Sequence, residues 1–261
     1  MRDSIADYQL MRAWGAAGRR HVARAPDRLG RADEVLVSEL AVDAEGWQTL
    51  CDRLVRLAQV PGGGLLEVLE VGPDLETGAV FLVSELPEEP PVLPRAGEQR
   101  DRLLGALAAA ATTLHGMHET GIAHGSVTAD ALLFTSRGPV LDLPLLDAQP
   151  GEIVNLDHWR RLEAMDPELL GGEAPSRGSD IWSLGATLHA LLSDRPLFPG
   201  MEHDETVTAV QRMLFTRPSP DARIPGDLLV LVQDCLEPDP ADRPQTALVV
   251  AERMAAAGVS A

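Results

Sequence analysis

Three aspartates in the middle of the chain have side chains that could bind a metal ion. Asp130, Asp142 and Asp147 follow one another closely in the sequence, and carboxylate oxygens are common ligands of hard divalent cations. Near the N-terminus, Arg19 and Arg20 follow a glycine-containing segment and could attract an anion. An exposed arginine pair can equally be a solvated turn. The role of these residues therefore depends on the secondary-structure elements that position them.

The charge balance excludes two classes of partner. The chain has 40 acidic and 22 basic residues, which gives a formal net charge of −18. This excess repels phosphate backbones and anionic lipid, so we expect no nucleic-acid partner and no direct membrane insertion. All of the basic residues are arginine, and the chain contains no lysine.

Length and composition are those of a globular protein. The chain has 261 residues, of which 45% are hydrophobic and 24% charged, and this predicts one large domain or two small lobes. Cys51 and Cys235 are too few for a disulfide framework. No apolar stretch approaches the ~20 residues of a membrane span, and the first residues lack a signal-peptide core. We therefore expect a cytoplasmic protein.

The first part of the chain is predicted to be rich in strands. One helix is predicted over 47–58, because Leu50, Leu54 and Leu57 recur at helical spacing. Short β-prone runs bounded by turn residues lie on both sides of this helix: Val35–Val37, Leu65–Val71 and Val80–Val83.

A proline-rich connector follows, and the rest of the chain is predicted to be helical. We place the lobe boundary here, with an N-lobe over 1–86 and a C-lobe over 87–261. A β-like region with a turn at 136–139 interrupts the helices. Apolar stripes at helical spacing predict one helix ending at Gly121 and one beginning behind Ser179-Asp180. Two further helices are predicted over 226–236 and 245–257.

Five segments in one order resemble the bacterial Ser/Thr protein kinases of the eukaryotic type, including those of actinobacteria. The resemblance covers nearly the whole chain and is uneven. Its strongest segments are Leu114–His124, Asp166–Glu168, Ser179–Gly185, Arg195–Gly200 and Asp239–Pro244. The resemblance implies an α+β, two-lobed, protein-kinase-like fold, with a small β-rich N-lobe that contains one helix and a larger helical C-lobe.

The resemblance also implies structural roles for four residues. Glu168 is expected to form a buried ion pair with Arg243. Asp180, at a helix N-terminus, is expected to hold the backbone of the loop around His124. His124 itself is expected to pack and hydrogen-bond within that loop rather than to take part in catalysis.

The residues with which this family catalyses phosphoryl transfer are replaced at the aligned positions. Ser38 stands in the place of the lysine that binds the phosphates, and Ser126 in that of the carboxylate that accepts the hydroxyl proton. Ala131 replaces the magnesium-binding amide. Pro144 falls on the aspartate of the Asp-Phe-Gly element. A shift of register could bring in Asp142, two residues upstream, or Asp147, three residues downstream, instead.

The nucleotide pocket is predicted to be degenerate as well. Gly15 is the one glycine at its expected place in the glycine-rich loop, and Arg20 occupies the third glycine position. Ser84 aligns with the gatekeeper, and Pro87 has no N–H to donate to an adenine ring. From 145 to 166 there is no Ser, Thr or Tyr, so phosphorylation cannot order this activation loop.

These replacements predict a pseudokinase that is not an enzyme, holds no metal and no cofactor, and acts as a protein-binding scaffold or allosteric regulator. The expected partner is another protein, either a kinase or a phosphothreonine-reading domain, with Thr206 and Thr208 as candidate sites. The acidic surface suggests a basic patch on that partner. Two alternatives stay open: a nucleotide sensor without turnover, and a divergent phosphotransferase or nucleotidyltransferase with Asp130, Asp142 or Asp147 on the metal.

Overall fold

The structure is a computed structural model of the chain. It describes residues 3–14, 20–30, 33–40, 42, 44–88, 98–144 and 159–259. Gly15, Asp147 and the pair Leu145-Leu146 lie outside the described residues, and so does Arg19. None of the described helices is long and apolar enough to cross a membrane.

The N-lobe is built on an antiparallel sheet of six strands in the order β1-β2-β3-β4-β6-β5. The β-prone runs around residues 36, 70 and 82 form β4, β5 and β6, which confirms their prediction. One helix, α1, spans Ala44–Leu57. The strands are β1 Ser4–Ile5, β2 Tyr8–Ala13, β3 Arg20–Arg24, β4 Glu34–Leu40, β5 Val68–Pro73 and β6 Val80–Ser84.

The two faces of this sheet are buried against different groups. Val35, Val37 and Phe81 pack with the side chains of β1 and the start of β2 in a small core on one face. Val22 and Leu36 lie on the opposite face and pack against the C-lobe. Alternate side chains of β4 therefore face opposite sides of the sheet, one side lying in the internal core of the N-lobe and the other in the cleft between the lobes.

The C-lobe is helical with one short hairpin. The long helix α2 contributes to the largest core and packs against α5 and α8. The hairpin and the helices near residues 230 and 250 were predicted from the sequence, whereas α3, α4 and α6 were not. The elements are α2 Glu98–Glu119, β7 Leu132–Thr135, β8 Gly138–Leu141, α3 Trp159–Glu163, α4 Pro167–Leu170, α5 Arg177–Leu192, α6 Thr206–Phe215, α7 Gly226–Cys235 and α8 Ala247–Ala256.

The start of α5 differs from the sequence prediction. Ser176 is the N-cap: its side chain accepts from the backbone N–H of Ser179, and the Ser179 hydroxyl in turn accepts from the backbone N–H of Ser176. This reciprocal capping box places Ser179 and Asp180 inside the first turn rather than before it. Asp180 is consequently buried and points into the C-lobe.

The lobes are joined by backbone hydrogen bonds between the loop before β5 and the end of β8. Leu66 N–H donates to Leu141 O at 2.9 Å, and Leu141 N–H donates to Gly64 O at 2.7 Å. A Cβ atom on Gly64 would lie 2.0 Å from Thr113 Oγ1 of α2. This close approach requires glycine and fixes the floor of the cleft against the long helix.

Candidate active site

The loop between α2 and β7 is held by one buried carboxylate. Asp180 accepts hydrogen bonds from the backbone N–H groups of His124 and Gly125, at 2.7 and 2.8 Å, and from His118 Nε2 at 2.8 Å. This is the contact with the loop around His124 that the sequence predicts for Asp180. Three donors on one carboxylate fix the loop to α5.

The ring of His124 links this loop to the end of β8. Its Nδ1 accepts from the backbone N–H of Ser126, and its Nε2 lies 3.0 Å from the carbonyl oxygen of Asp142. Since a carbonyl oxygen only accepts, Nε2 carries the proton and the ring is neutral. Burial lowers the pKa of His124 against the opposing influence of Asp180 and Asp142, which agrees with this tautomer.

Asp142 places a carboxylate directly after the hairpin and beside the loop that contains His124. It comes directly after β8 and is partly buried. Its Oδ1 accepts from the backbone N–H of Leu143 at 2.8 Å. The sequence alignment put the metal-binding position at Pro144, but the residue that the structure shows bonded to His124 is Asp142.

Arg20 reaches Asp142 from the other lobe. Arg20 Nη1 lies 2.5 Å from Asp142 Oδ2, with side-chain exposures of 33% and 14%. This ion pair crosses the cleft from β3 of the N-lobe to the end of β8.

Asp130, another candidate metal ligand, is also paired with an arginine. Its carboxylate lies 2.5 Å from the guanidinium of Arg161 on α3. The pair ties the loop after His124 to the helix that follows the segment 145–158. Asp130 and Asp142 thus each hold a guanidinium group.

The remaining positions singled out in this loop carry no charge. Ser126 donates its backbone N–H to His124 as described above, and Ala131 is buried with its backbone N–H bonded to Thr128 O. Among the described residues, no three His, Cys, Asp or Glu side chains lie close enough together to hold a metal ion by themselves. A metal bound at Asp142 must complete its coordination with oxygens from a substrate or from water.

Apolar side chains from both lobes meet in the cleft. They form one buried cluster: Trp14, Val22, Leu36, Leu66, Leu133 and Val140, with Leu86 and Leu143 packed against it. Ser84 lies opposite Leu36 in the strand register, so its side chain faces the same cluster. The hydroxyl of Ser84 and the indole Nε1 of Trp14 are buried and have no hydrogen-bond partner. Two buried polar atoms of the cleft therefore lack a hydrogen-bond partner within the part of the chain that the structure describes.

Two other pocket positions are placed on the cleft-side elements. Ser38 lies on β4 and is 8% exposed. Pro87 follows β6 in the connector and is buried. Neither position supplies the donor that the family uses there, since one is a hydroxyl and the other has no N–H.

A second buried ion pair anchors the C-lobe, and it differs from the predicted one. Arg243 pairs with Asp166, and both side chains are almost completely buried. Glu168, the predicted partner, is exposed. Asp166 is the N-cap of α4 and also accepts from the backbone N–H of Glu168, so Glu168 starts the helix on its solvent side. The prediction of a Glu168–Arg243 pair is wrong.

Arg243 has further partners. Its guanidinium donates to the carbonyl oxygens of Glu237, Gly178 and Pro238 at 2.7, 2.8 and 3.2 Å. It also lies over the ring of Trp182, 5.2 Å from the ring centroid. The guanidinium is therefore surrounded by hydrogen-bond acceptors and an aromatic ring of the protein itself.

Comparisons with known proteins agree with this architecture. The chain matches the family model described as "Protein kinase domain" over residues 108–254, which is more than half of its length. The chain belongs to the protein kinase domain family. Its two-lobed fold aligns with the crystal structure of the PknI kinase domain of Mycobacterium tuberculosis at a TM-score of 0.64, with 18% identity and 97% of each chain covered.

Two of the curated relatives that match are Ser/Thr protein kinases by name. The chain is 28% identical over 212 residues, 77% of its length, to the "DNA damage-responsive serine/threonine-protein kinase RqkA" of Deinococcus radiodurans. It is 26% identical over 264 residues, 95% of its length, to the "Probable serine/threonine-protein kinase PkwA" of Thermomonospora curvata. The matches span 31% and 34% of those two proteins, so the chain corresponds to about a third of each.

These findings correct the prediction that the chain is not an enzyme. The family match and the names of the relatives point to a protein kinase enzyme. The prediction counted side chains at aligned positions along the sequence. It could not take account of Arg20 and Asp142, which come together only in the folded cleft.

Proposed function

We propose that the chain is a phosphotransferase of the protein kinase class that works with a rearranged set of charged groups. This was one of the alternatives left open by the sequence. The observation that supports it is the position of Asp142, which directly follows β8. Its carbonyl oxygen accepts a hydrogen bond from His124, and its Oδ2 is paired with the guanidinium of Arg20.

Asp142 suits the role of the magnesium carboxylate. Mg²⁺ in such sites is bound by one or two carboxylates and by phosphate oxygens of the substrate, so a single well-held aspartate can anchor it. Oδ1 of Asp142 is fixed by the backbone N–H of Leu143, and this directs Oδ2 into the cleft. To bind a metal ion, Asp142 would exchange its contact with the guanidinium of Arg20 for the metal.

The cleft also has groups that suit a nucleobase. The apolar cluster presents Val22 and Leu36 from above and Leu133 from below. The hydroxyl of Ser84 and the indole N–H of Trp14 supply unpaired hydrogen-bonding atoms at its edge. Because Pro87 has no N–H, Ser84 is the polar group of β6 that takes over the contact with the base.

We expect transfer to be slow. Ser126 does not accept a proton usefully at neutral pH, and general-base assistance typically contributes about 10²–10⁴-fold. The transition state of phosphoryl transfer is loose, so positioning and charge neutralisation contribute more than proton abstraction. A site that has the metal-binding carboxylate but lacks the base should therefore transfer phosphate slowly.

The test is a phosphotransfer assay with radiolabelled ATP and either Mg²⁺ or Mn²⁺, on the protein itself and on a generic Ser/Thr protein substrate. We expect slow, metal-dependent transfer that Asp142→Asn reduces at least about 100-fold, as for loss of one preorganised charge-stabilising group. Asp227→Asn, on the exposed first turn of α7, is the matched control and keeps the wild-type rate. The proposal fails if no transfer occurs with either metal, or if Asp142→Asn transfers as fast as the wild type.

A second role, in protein binding, is favoured by exposed apolar side chains on α6. Val207 and Phe215 are 70% and 82% exposed, and Glu202 and Glu205 precede them on the surface. We infer a protein partner that presents apolar side chains framed by basic residues, which would complement this helix and the net charge of −18. The predicted phosphothreonine-reading partner would also be basic at its recognition surface.

An amphipathic peptide of leucine and arginine is a direct probe of this surface. We expect fluorescence anisotropy to show binding that weakens with added salt and with Phe215→Ser. Leu75→Ser removes a side chain that is 93% exposed on the N-lobe and serves as the control. Equal affinity for both variants and the wild type contradicts this role. Phosphorylated Thr206 or Thr208 on the first turn of α6 can be tested in the same way against a phosphothreonine-reading domain.

A further inference from the structure

The register of the N-lobe sheet places an arginine beside the position of the missing lysine. Arg20 on β3 pairs directly with Ser38 on β4. Residues directly opposite one another in an antiparallel pair project to the same face of the sheet. The side chain of Arg20 therefore leaves the sheet on the face of Ser38, one strand away.

The guanidinium of Arg20 lies beside the carboxylate that would hold a metal ion. It reaches Asp142 Oδ2 from the N-lobe. A metal ion on this carboxylate must coordinate phosphate oxygens within a few ångströms of it. A group that touches the carboxylate is thus within reach of those oxygens after a small rotation of its side chain.

The chemistry of arginine suits this position. The guanidinium stays protonated and offers parallel N–H donors that match two oxygens of one phosphate, whereas the ammonium of lysine acts as a point charge. The longer arginine side chain also spans the extra distance from β3. Since the chain contains no lysine, arginine is the only side chain that can supply a permanent positive charge in the cleft.

We propose that Arg20 is the phosphate-binding cation of this site and replaces the lysine of β4 from the neighbouring strand. The inference rests on the proposed function. In the structure Arg20 is ion-paired with Asp142; with a metal nucleotide bound, Asp142 would hold the metal and Arg20 would contact the phosphates. Arg20 makes no covalent bond in this role.

The proposal is tested by moving the positive charge from position 20 on β3 to position 38 on β4. Arg20→Ser removes the cation, and the double variant Arg20→Ser with Ser38→Lys returns a cation to β4. Isothermal titration calorimetry with Mg-ATP, at constant ionic strength, gives the dissociation constant of each protein. We expect Arg20→Ser to weaken binding at least about tenfold, a typical loss for a hydrogen bond to a charged group, and Ser38→Lys to restore most of it.

Two further variants serve as controls. Arg24→Ser removes an exposed arginine of the same strand and is expected to bind within about twofold of the wild type, because surface charges at a distance are screened. Arg20→Lys keeps the charge and is expected to fall between the wild type and Arg20→Ser. If Arg20→Ser does not fold, Arg20→Lys and Ser38→Lys in the wild-type background still report on the two positions.

The outcomes separate this inference from the proposed function. If the wild type binds no Mg-ATP, both are overturned. If the wild type binds and Arg20→Ser binds equally well, the assignment of Arg20 alone is wrong. Tighter binding by Arg20→Ser also overturns it, because Arg20 would then be a lock on Asp142 rather than a ligand of phosphate.

Discussion

The anchor of the C-lobe and the cleft between the lobes both contain an arginine paired with an aspartate, in very different surroundings. The Arg243–Asp166 pair is buried, and the guanidinium has three further carbonyl acceptors. The Arg20–Asp142 pair is partly exposed, and the buried polar atoms of Ser84 and Trp14 in the cleft have no partner among the described residues. The first arrangement is complete without a ligand, whereas the second leaves donors and a charge for one.

This contrast separates residues that maintain the fold from residues that are free to exchange partners. Groups that stabilise a fold have their hydrogen bonds satisfied within the protein, because an unpaired buried polar group costs about 1–3 kcal/mol. The cleft contains two such unpaired buried groups, the hydroxyl of Ser84 and the indole N–H of Trp14. Mutations at the anchor should therefore act on stability, and mutations in the cleft on ligand binding.

The largest effect is expected from Arg243→Ala. Removing one partner of a buried ion pair typically costs about 3–5 kcal/mol, because the other charge is left buried. Arg253 pairs with Asp234 on the surface, with exposures of 34% and 43%, so Arg253→Ala should cost less than about 1 kcal/mol. Chemical denaturation measures both free energies of unfolding.

Glu168→Ala sharpens the same test. Since Glu168 is exposed, its loss should change the free energy of unfolding by no more than about 0.5 kcal/mol. A loss comparable to that of Arg243→Ala would restore the partner predicted from the sequence and contradict the Asp166 pair.

A loss smaller than that of Arg243→Ala is expected from Asp180→Asn. The amide keeps one acceptor oxygen and turns an N–H₂ group toward the donors of His118, His124 and Gly125. Leaving one buried donor unsatisfied should cost about 1–3 kcal/mol. Hydrogen exchange of the amides of His124 and Gly125 should accelerate. Unchanged exchange relative to Asp101→Asn, on the exposed side of α2, would refute this role.

The smallest effect concerns pH. Burial lowers the pKa of His124 below its ordinary value of 6.5 in the folded protein. Below that pH the unfolded chain binds a proton that the folded protein does not, so stability is present above about pH 6.5 and is lost as the pH falls. His118, Asp142 and Asp180 are the titratable groups that face the ring.

Denaturation at pH 8.0 and at pH 5.5 measures this dependence. His124→Gln should lose less stability over this interval than the wild type. His203→Gln removes an exposed imidazole and should behave as the wild type does. An equal loss in all three proteins would mean that other groups set the pH dependence.

The sequence predicted most elements and the two-lobed fold, because apolar periodicity is a local property. The helix that ends near Gly121 was predicted from apolar spacing, and the strand around Leu36 from a run of β-prone residues bounded by turn residues. The start of α5 was misplaced since Ser179 is as good a capping residue as Ser176, and only the reciprocal hydrogen bonds decide between them.

The site was predicted less well because its contacts join distant segments. The pairing of Arg243 with Asp166 rather than Glu168 depends on the direction in which α4 starts. The approach of Arg20 to Asp142 depends on the β3–β4 register and on the closure of the lobes. Alignment along the sequence assigns one residue to one role and cannot show that a role has moved to the neighbouring strand.

The position of Arg20 opposite Ser38 has a practical consequence for chemical labelling. Nucleotide reagents that acylate an amine beside the triphosphate require a lysine side chain in the cleft, and this chain has none. A guanidinium stays protonated and reacts poorly with such reagents. Arginine-directed dicarbonyl compounds are the suitable choice, and protection of Arg20 from them by a bound ligand would be read directly by mass spectrometry.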